Sequence, residues 1–550
     1  MRPTLAHQLA DYACALNFED LSPEVVREVK RRVIDSLGCA LGAWDEEPCA
    51  IARKVVSEFS AKHGSTVIGT NHKAPPDWTA FANGCAIRYF DYNDTYLSKE
   101  PAHPSDNISA ALAIAESVGA NGRELITAIA LAYEVQCRLS DAASIRARGW
   151  DHVTYGAFST ALACAKLMNL DPKKTRHAVN IAGVAGAAMR QARVGELSHW
   201  KGVAFATAAR HGVYSALLAR AGMTGPGPIF EGQMGFEKQL GVSLGNVGEK
   251  FAVPFAKTDH GPASMILKTS IKNWPAEYHS QSAIEAALFL REEVIDLAQV
   301  KSVTIESHDA SVDIIGSEAE KWRPATRETA DHSLPYITAI ALIDGEVTNK
   351  QFEPERFADP KVRKFLKNVH VERNAELSAM YPGAVANIVH VDLGDGRRLT
   401  KRVDYPLGHA KNPLQDAEVE GKFFALVTPA LGKKAAAGII DLIWKIDEAK
   451  NVGKLMQAME MPTHRQTRPA RTSDRFFGIK FLRASRIARP DSGPMPKQPI
   501  PNAPSSVVPS GGILVRDRPR RLPPSHPSPS RIEQGKLRRV REPLHGIRRH

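Results

Sequence analysis

The sequence has few cysteines, and none of the patterns that usually mark a metal centre. Its 550 residues include six cysteines, all within the first 164 positions: Cys14, Cys39, Cys49, Cys85, Cys137 and Cys164. No two of them form a CxxC pair, and their spacing differs from that of cysteines that hold iron–sulfur clusters. No zinc-type spacing, HExxH motif, P-loop or dinucleotide-binding pattern occurs either. We therefore expect buried, reduced thiols and no metal.

Long apolar runs are also absent from the sequence. No stretch approaches the roughly 20 apolar residues that a helix needs to span a bilayer. The first residues enter an amphipathic pattern directly, without the apolar core of a secretory signal. We expect a cytoplasmic protein that has no membrane partner.

Positive charge is unevenly distributed along the chain. The net charge is +12, but residues 461–550 hold 20 Lys and Arg against 5 Asp and Glu. Residues 1–460 hold 52 Lys and Arg against 55 Asp and Glu. The excess charge therefore belongs to the C-terminal segment, and nucleic acid is not indicated as a partner of the main body.

The C-terminal segment, residues 461–550, reads as a disordered tail rich in proline and arginine. From Pro462 onward it holds 15 of the 36 prolines and shows almost no apolar periodicity. Such a segment buries too little apolar surface to offset the entropy lost on ordering. Two alternatives stay open, namely a basic arm that binds an anionic partner, and a fused or frameshifted end.

Most of residues 4–265 repeat apolar side chains at intervals of three and four, which predicts a succession of helices. Ser22 is placed to cap a helix that starts at Pro23 and runs to about Ala43. Asp171 precedes a helix predicted to extend to Met189. Helical periodicity returns over Asp416–Trp444.

After about Gly261 the pattern changes to the alternation that is typical of strands. Asn387–Leu393 and Arg398–Tyr405 alternate on either side of a Gly-Asp-Gly turn, which is a strong hairpin signal. We predict a mainly α protein with two domains and the tail. They are a large all-helical domain (residues 1–265, completed by 406–460), and a smaller α+β lid domain (residues 266–405).

Polar residues gather in four clusters between the predicted elements. The clusters are Asp91–Thr95 with His103–Asn107, Asp151–Gly156, Ser198–Gly202, and Lys272–His279. His103 stands just before a predicted helix N-terminus, an end that favours anions. Taken singly, most of these residues read as ordinary caps and turns.

In combination, the clusters resemble the MmgE/PrpD family, and most closely its branch that dehydrates 2-methylcitrate. The matching motifs, in the family's order, are Arg88–Leu97 with Glu100 and His103–Asn107, Asp151-His152, Lys201, Lys272 with Trp274–Gln281, Asp331-His332, and Tyr405–His409. The resemblance covers about residues 4–455. It implies a large helical domain with a smaller α+β lid, a homodimer, an active site between the domains, no cofactor, and a small polycarboxylate as substrate.

The motif matches imply which residues line that site. The predicted catalytic residues are Asp91, His103, His152 and Lys201, and the predicted substrate-binding residues are Thr95, Lys272, His279 and, as a further cation one turn from Arg193, Arg190.

The implied reaction is the dehydration of 2-methylcitrate, or of a similar tricarboxylic acid, to a cis-aconitate-type product. Lys201 and Lys272 would stabilise the charge that develops when a proton next to a carboxylate is removed. His103 and His152 are the candidates for acid and base. Asp91 would orient an imidazole, or protonate the leaving hydroxyl if burial raises its pKa.

Two further readings of the main body stay open. The same scaffold would support decarboxylation or epimerisation of a related small polycarboxylate. A non-catalytic relative would bind such a ligand without converting it.

Overall fold

The computed structural model describes residues 3–466. Most of the predicted tail, residues 467–550, lies outside the described residues, and so do Met1 and Arg2. The described chain is mainly helical and contains a small mixed sheet, in agreement with the predicted fold class.

The N-terminal half is a succession of helices, as the apolar periodicity predicts. The helices are α1 (Leu5–Ala15), α2 (Pro23–Gly42), α3 (Glu47–Ser57), α4 (Pro76–Arg88), α5 (Ile108–Val118), α6 (Gly122–Ala142), α7 (Val153–Leu167), α8 (Pro172–Ala185), α9 (Trp200–Arg220) and α10 (Phe236–Leu240). The Ser22 side chain caps α2 as predicted, by accepting the Val25 N–H. This half is not entirely helical, because the short strands β1 (Ser65–Thr66) and β2 (Lys73–Ala74) pair antiparallel.

A four-stranded mixed sheet with its own helices follows. Its elements are α11 (Gln281–Glu293), β3 (Val300–Ser307), α12 (Asp309–Ser311), α13 (Arg327–Ala330), α14 (Leu334–Asp344), α15 (Pro354–Phe357), α16 (Pro360–Leu366), β4 (Val369–Arg373), α17 (Ala375–Met380), β5 (Asn387–Leu393) and β6 (Arg398–Val403). The strand order is β4-β3-β5-β6, and β3 runs parallel to β4 but antiparallel to β5. The predicted hairpin is confirmed, since β5 and β6 pair antiparallel.

The described chain ends in helices again: α18 (Asp416–Leu431), α19 (Lys433–Trp444), α20 (Gly453–Ala458) and α21 (Thr463–Gln466). The helical stretch predicted to reach Trp444 is broken, because Gly432 has a φ of +80° and turns the chain between α18 and α19. The prediction was also too long for α8, which ends at Ala185 and not at Met189. Glycine has a low helix propensity, and Gly186 follows directly after Ala185.

Two large hydrophobic cores lie within the described chain, beside four small clusters of buried residues. The first draws on residues 5–271 and 414–461, and the second on residues 276–403. We propose that they correspond to the predicted helical domain and lid domain, whose limits stay a prediction, as does the homodimer. Ordered packing continues past residue 460, since Met461 is buried in the first core and Arg465 pairs with Asp45 at 3.1 Å.

Two further features of the described chain concern its cysteines and the apolar character of its helices. The cysteines are free, and all except the half-buried Cys14 are buried. No helix within residues 3–466 is long and apolar enough to cross a membrane.

A buried ion pair joins α18 to α2. Lys422 Nζ lies 2.7 Å from Asp35 Oδ1, and both side chains are at least 95% buried. The same ammonium donates hydrogen bonds to the carbonyls of Tyr92, at 2.6 Å, and Lys272, at 2.9 Å. Because those carbonyls belong to two separate loops, the hydrogen bonds of Lys422 connect the two loops.

Replacing Lys422 with methionine should destabilise the protein strongly. The Asp35 carboxylate would stay buried without its cation, and breaking one side of a buried pair costs about 3–5 kcal/mol. We expect a clear fall in the thermal unfolding midpoint of Lys422→Met, with partial recovery in the double variant Lys422→Met/Asp35→Leu. The control is Lys433→Met, which removes an exposed lysine from α19. Equal midpoints for Lys422→Met and Lys433→Met would show that the buried pair does not support the fold.

Candidate active site

The site is organised around Asp91, which stands in the loop after α4. Asp91 has a φ of +50°, a left-handed conformation that is uncommon for residues other than glycine. Its backbone carbonyl accepts a hydrogen bond from Lys272 Nζ at 2.7 Å, and its carboxylate pairs with Arg88 in the last turn of α4. These contacts hold the Asp91 backbone in its unusual conformation.

Three cations surround the buried Asp91 carboxylate. Besides Arg88, Lys272 Nζ lies 2.9 Å from Oδ2, and Lys201 Nζ lies 3.7 Å from Oδ1. Burial by itself raises the pKa of Asp91, but the charges of the three cations outweigh it and bring the pKa well below its usual range. The condition for Asp91 to protonate a leaving hydroxyl is therefore not met. Asp91 is an ionised anchor for the cations.

Lys201 is the cation best suited to give up a proton. It lies in the first turn of α9, is 1% exposed, and has its Nζ 3.3 Å from His332 Nδ1 and 3.8 Å from Asp331 Oδ1. Burial lowers the pKa of Lys201 to about 8, although the carboxylates of Asp331 and Asp91 oppose that shift. Lys201 is therefore charged at neutral pH but loses its proton just above it.

The two candidate imidazoles lie side by side, with ring centres of His103 and His152 5.7 Å apart. His103 Nδ1 is 2.7 Å from the Asp94 carbonyl. A carbonyl can only accept, so the ring proton lies on Nδ1, and Nε2 accepts a hydrogen bond from Arg88 at 3.0 Å. Burial, with the charge of Arg88, lowers the pKa of His103 well below its usual range. The lone pair of His103 is thus already occupied.

His152 has the opposite arrangement, with a free nitrogen. Its Nδ1 lies 3.0 Å from Asp151 Oδ1, and Asp151 is held in turn by Arg193 at 2.9 Å. Its Nε2 is buried and has no hydrogen-bond partner among residues 3–466. Burial lowers the pKa of His152, against the opposing charge of Asp151. His152 is therefore a neutral imidazole with an available lone pair.

Two further histidines are oriented by carboxylates in the same way. His332 Nδ1 lies 2.6 Å from Asp331 Oδ1, and His279 Nδ1 lies 2.7 Å from Glu277 Oε1. His332 Nε2 is also 3.8 Å from Asp91 Oδ2. His332 therefore belongs to the group around the Asp91 carboxylate, the Asp91 cluster, together with Arg88, Lys201 and Lys272. Sequence reasoning placed His332 in a family motif but not in the site. Repetition of the Asp-His dipeptide of Asp151-His152 is the signal that points to it.

Two predicted binding residues stand apart from the Asp91 carboxylate. The Thr95 hydroxyl donates to the Ala102 carbonyl at 3.3 Å, while the Thr95 backbone pairs with Ser270. Arg190 is half-buried, and burial with the nearby charge of Arg146 lowers its pKa. The predicted residues that converge are thus Asp91, His103, His152, Lys201 and Lys272; Thr95 tethers the loop, and His279 and Arg190 lie in adjoining clusters.

Gly408 allows its own segment to pack closely against the backbone of Ile271, the residue before Lys272. It has a φ of +92°, and a Cβ atom built on it would overlap the carbonyl oxygen of Ile271. Only glycine combines that backbone conformation with that lack of volume. The Tyr405–His409 motif therefore supports the segment that carries Lys272.

A metal-binding cluster is not part of this geometry. The described part of the chain contains no group of three or more His, Cys, Asp and Glu side chains that could hold a metal ion. The predicted independence from cofactors stays a prediction.

Comparisons with known proteins identify related sequences over most of the chain. Residues 7–243 match the family model of the MmgE/PrpD N-terminal domain, and residues 274–448 match that of the MmgE/PrpD C-terminal domain. The 2-methylcitrate dehydratase of Cupriavidus necator is 30% identical over 404 residues, which are 69% of this chain and 81% of the relative.

Two other relatives cover still more of the chain. The 2-methylcitrate dehydratase of Escherichia coli K12 is 28% identical over 437 residues, 75% of this chain and 88% of the relative. The cis-aconitate decarboxylase of Homo sapiens is 26% identical over 484 residues, 84% of this chain and 96% of the relative.

Replacing Gly408 with alanine should displace Lys272 and lower the rate of whatever reaction the site catalyses. The added methyl group would push on the Ile271 carbonyl, and a shift of about 1 Å in a catalytic group costs on the order of 10²-fold in rate. The measurement is kcat/KM together with the thermal unfolding midpoint. The control is Gly438→Ala on α19, where an added Cβ meets nothing within 4 Å. If Gly408→Ala and Gly438→Ala were equally active, the proposed support of Lys272 would be wrong.

Proposed function

The chain belongs to the MmgE/PrpD family, and we propose that it is a lyase that dehydrates 2-methylcitrate or a similar small tricarboxylic acid. The observation that carries this proposal is that His152 Nε2, beside a group of buried cations, has no hydrogen-bond partner in the part of the chain that the structure describes. A base next to several cations is what the removal of a proton from a polyanion requires.

His152 is the proposed base. Its Nε2 lone pair is available, whereas the equivalent lone pair of His103 accepts a hydrogen bond from Arg88. The Asp151 carboxylate fixes the His152 tautomer and would stabilise the imidazolium formed when a proton is taken. His103 then acts by positioning Arg88, and through it Asp91.

The cations have separate proposed roles. Removing a proton next to a carboxylate places further negative charge on that group, and Lys272 would stabilise it as a buried ammonium. Lys201, with its pKa lowered to about 8, would deliver a proton to the leaving hydroxyl, so that water departs. The electron pair of the broken carbon–hydrogen bond forms the new double bond, and the hydroxyl leaves with the electron pair of the carbon–oxygen bond. His152 takes one proton from the substrate, and Lys201 gives one proton to the hydroxyl.

Decarboxylation is the second candidate, because the human relative named for that activity matches 84% of this chain. In that reaction a carbon–carbon bond breaks, carbon dioxide leaves, and a proton replaces it. A lysine with a pKa of about 8 suits that protonation as well. The mass of the product distinguishes the two reactions.

A substrate panel tests the proposal. The purified protein should convert 2-methylcitrate to a product that is lighter by one water, as measured by mass spectrometry alongside citrate, cis-aconitate and iminodisuccinate. His152→Gln should lower kcat about 10²–10⁴-fold, the usual contribution of a positioned base. In deuterated water it should also fail to exchange the substrate proton that the wild type exchanges.

The matched control is His63→Gln, which changes an exposed histidine. Loss of carbon dioxide or inversion of a stereocentre would move the assignment to the decarboxylase or epimerase reading. Binding of these acids without turnover would favour the non-catalytic reading, and undiminished activity of His152→Gln would remove His152 as the base.

The pH dependence of kcat/KM should report Lys201. Its pKa is lowered from the lysine value to about 8, so the ammonium form is present below pH 8 and is lost as the pH rises through 8. We expect kcat/KM to fall about tenfold per pH unit above pH 8, because this parameter follows the ionisation of the free enzyme.

Lys201→Arg separates this ionisation from others, since a guanidinium keeps its charge at every accessible pH. Whatever activity Lys201→Arg retains should lack the decline above pH 8. Lys434→Arg, an exposed change on α19, should keep it. A decline at the same pH in Lys201→Arg would assign the ionisation to another group.

A further inference from the structure

Three rings form a compact cluster at one end of the sheet. His308 follows β3 directly, and Tyr381 follows α17. The ring centres of His279 and His308 are 5.1 Å apart, those of His308 and Tyr381 are 4.7 Å apart, and those of His279 and Tyr381 are 5.7 Å apart. Asn387 at the start of β5 fixes this cluster by donating to the His279 carbonyl at 2.8 Å.

Both histidine rings of the cluster present a polar atom without a partner in the described chain. His279 Nε2 and His308 Nε2 are buried and make no hydrogen bond within residues 3–466, and the buried Tyr381 hydroxyl lies beside Arg146. His279 is 1% exposed and His308 is fully buried. Buried polar atoms in native proteins are usually paired, so two unpaired ring nitrogens with the Tyr381 hydroxyl beside them are suited to a bound polar group.

The tautomer of His308 makes it a fixed donor. The Ser311 N–H donates to the His308 carbonyl at 3.0 Å and also points at His308 Nδ1 from 3.4 Å, which favours the tautomer with its proton on Nε2. Burial, with the charge of His279, lowers the pKa of His308 to about 3. His308 is therefore a neutral N–H donor throughout the physiological pH range, and the Tyr381 hydroxyl is a second donor.

Positive charge adjoins these donors. Burial raises the pKa of Tyr381, the neighbouring Arg146 lowers it, and the carboxylates of Glu277 and Glu100 add to the rise. Two neutral donors with the guanidinium group of Arg146 nearby can hold a carboxylate, which accepts several hydrogen bonds.

The backbone connects this cluster to the Asp91 cluster. Glu277, which orients His279, donates its backbone N–H to the carbonyl of Asp331 at 2.9 Å. Asp331 orients His332, which belongs to the Asp91 cluster. The two clusters are thus held in a fixed relation.

We propose that His308 and Tyr381, together with His279, form a subsite that binds the substrate carboxylate farthest from the reacting carbon. This inference rests on the proposed function, because it assigns the two ends of a tricarboxylate to the two clusters. His308 and Tyr381 then determine which acids bind, and they take no part in proton transfer.

Binding of tricarballylate tests the subsite independently of turnover. This acid has three carboxylates but no hydroxyl, so it cannot be dehydrated, and its affinity is measured by titration calorimetry on the full-length protein. Tyr381→Phe removes one oxygen atom, and His308→Asn removes the ring N–H while keeping a side chain that can cap the Ser311 N–H. Each should weaken tricarballylate binding about tenfold or more, the loss expected for a hydrogen bond to a charged group.

Kinetics with the substrate supply the second readout. Tyr381→Phe should raise KM about tenfold and change kcat less than about threefold, as expected when binding to a remote group is lost. Tyr214→Phe, which removes an exposed hydroxyl from α9, should change neither value. A fall in kcat at constant KM would place Tyr381 at the reacting atoms and overturn the proposal.

The two proposals can fail separately. If the wild type turns over no acid of the panel, the proposed function fails, and calorimetry still decides the subsite. Weaker tricarballylate binding by Tyr381→Phe supports it, whereas no binding by the wild type, or equal affinities, overturns it. Should His308→Asn not fold, Tyr381→Phe decides alone.

Discussion

The carboxylate of Asp91 stabilises three buried cations by pairing with them. Taking an ammonium or guanidinium group out of water costs several kcal/mol, which a close carboxylate partly offsets. Asp91 does this for Arg88, Lys201 and Lys272 together, and their combined charge keeps Asp91 ionised against its own burial. Two of the cations also face further carboxylates, since Arg88 Nε lies 3.7 Å from Asp106 Oδ2 and Lys201 Nζ lies 3.8 Å from Asp331 Oδ1. A polyanionic ligand would be attracted to the buried cations themselves, and the low dielectric of the interior would strengthen that attraction.

The fold brings these groups together from distant parts of the sequence. Arg88 ends α4 and Asp91 follows in the next loop, Lys201 lies in α9, and Lys272 lies in the chain segment between the residues of the first and second cores. Lys422 in α18 binds the carbonyls of both loops at once. The helices that follow the sheet therefore support the site as well as the first core.

The histidines differ in what their carboxylate or carbonyl partners leave available. His152 keeps a free lone pair, whereas His103 uses its lone pair to accept from Arg88. His308 stays neutral and does not readily take a second proton, because its pKa is lowered to about 3. Under the proposed function, proton transfer and carboxylate binding would belong to different rings. The backbone contact between Glu277 and Asp331 joins the carboxylates that orient His279 and His332.

Local sequence pattern by itself determined the cap of α2 at Ser22 and the β5–β6 hairpin, because both depend on residues close together in the chain. The order of the polar motifs was enough to identify the family. Sequence did not reveal that Asp91 is ionised, that His152 and not His103 has the free nitrogen, or that Tyr381 meets His308. Those properties depend on burial and on partners that fold in from far along the chain, so only the tertiary structure decided them.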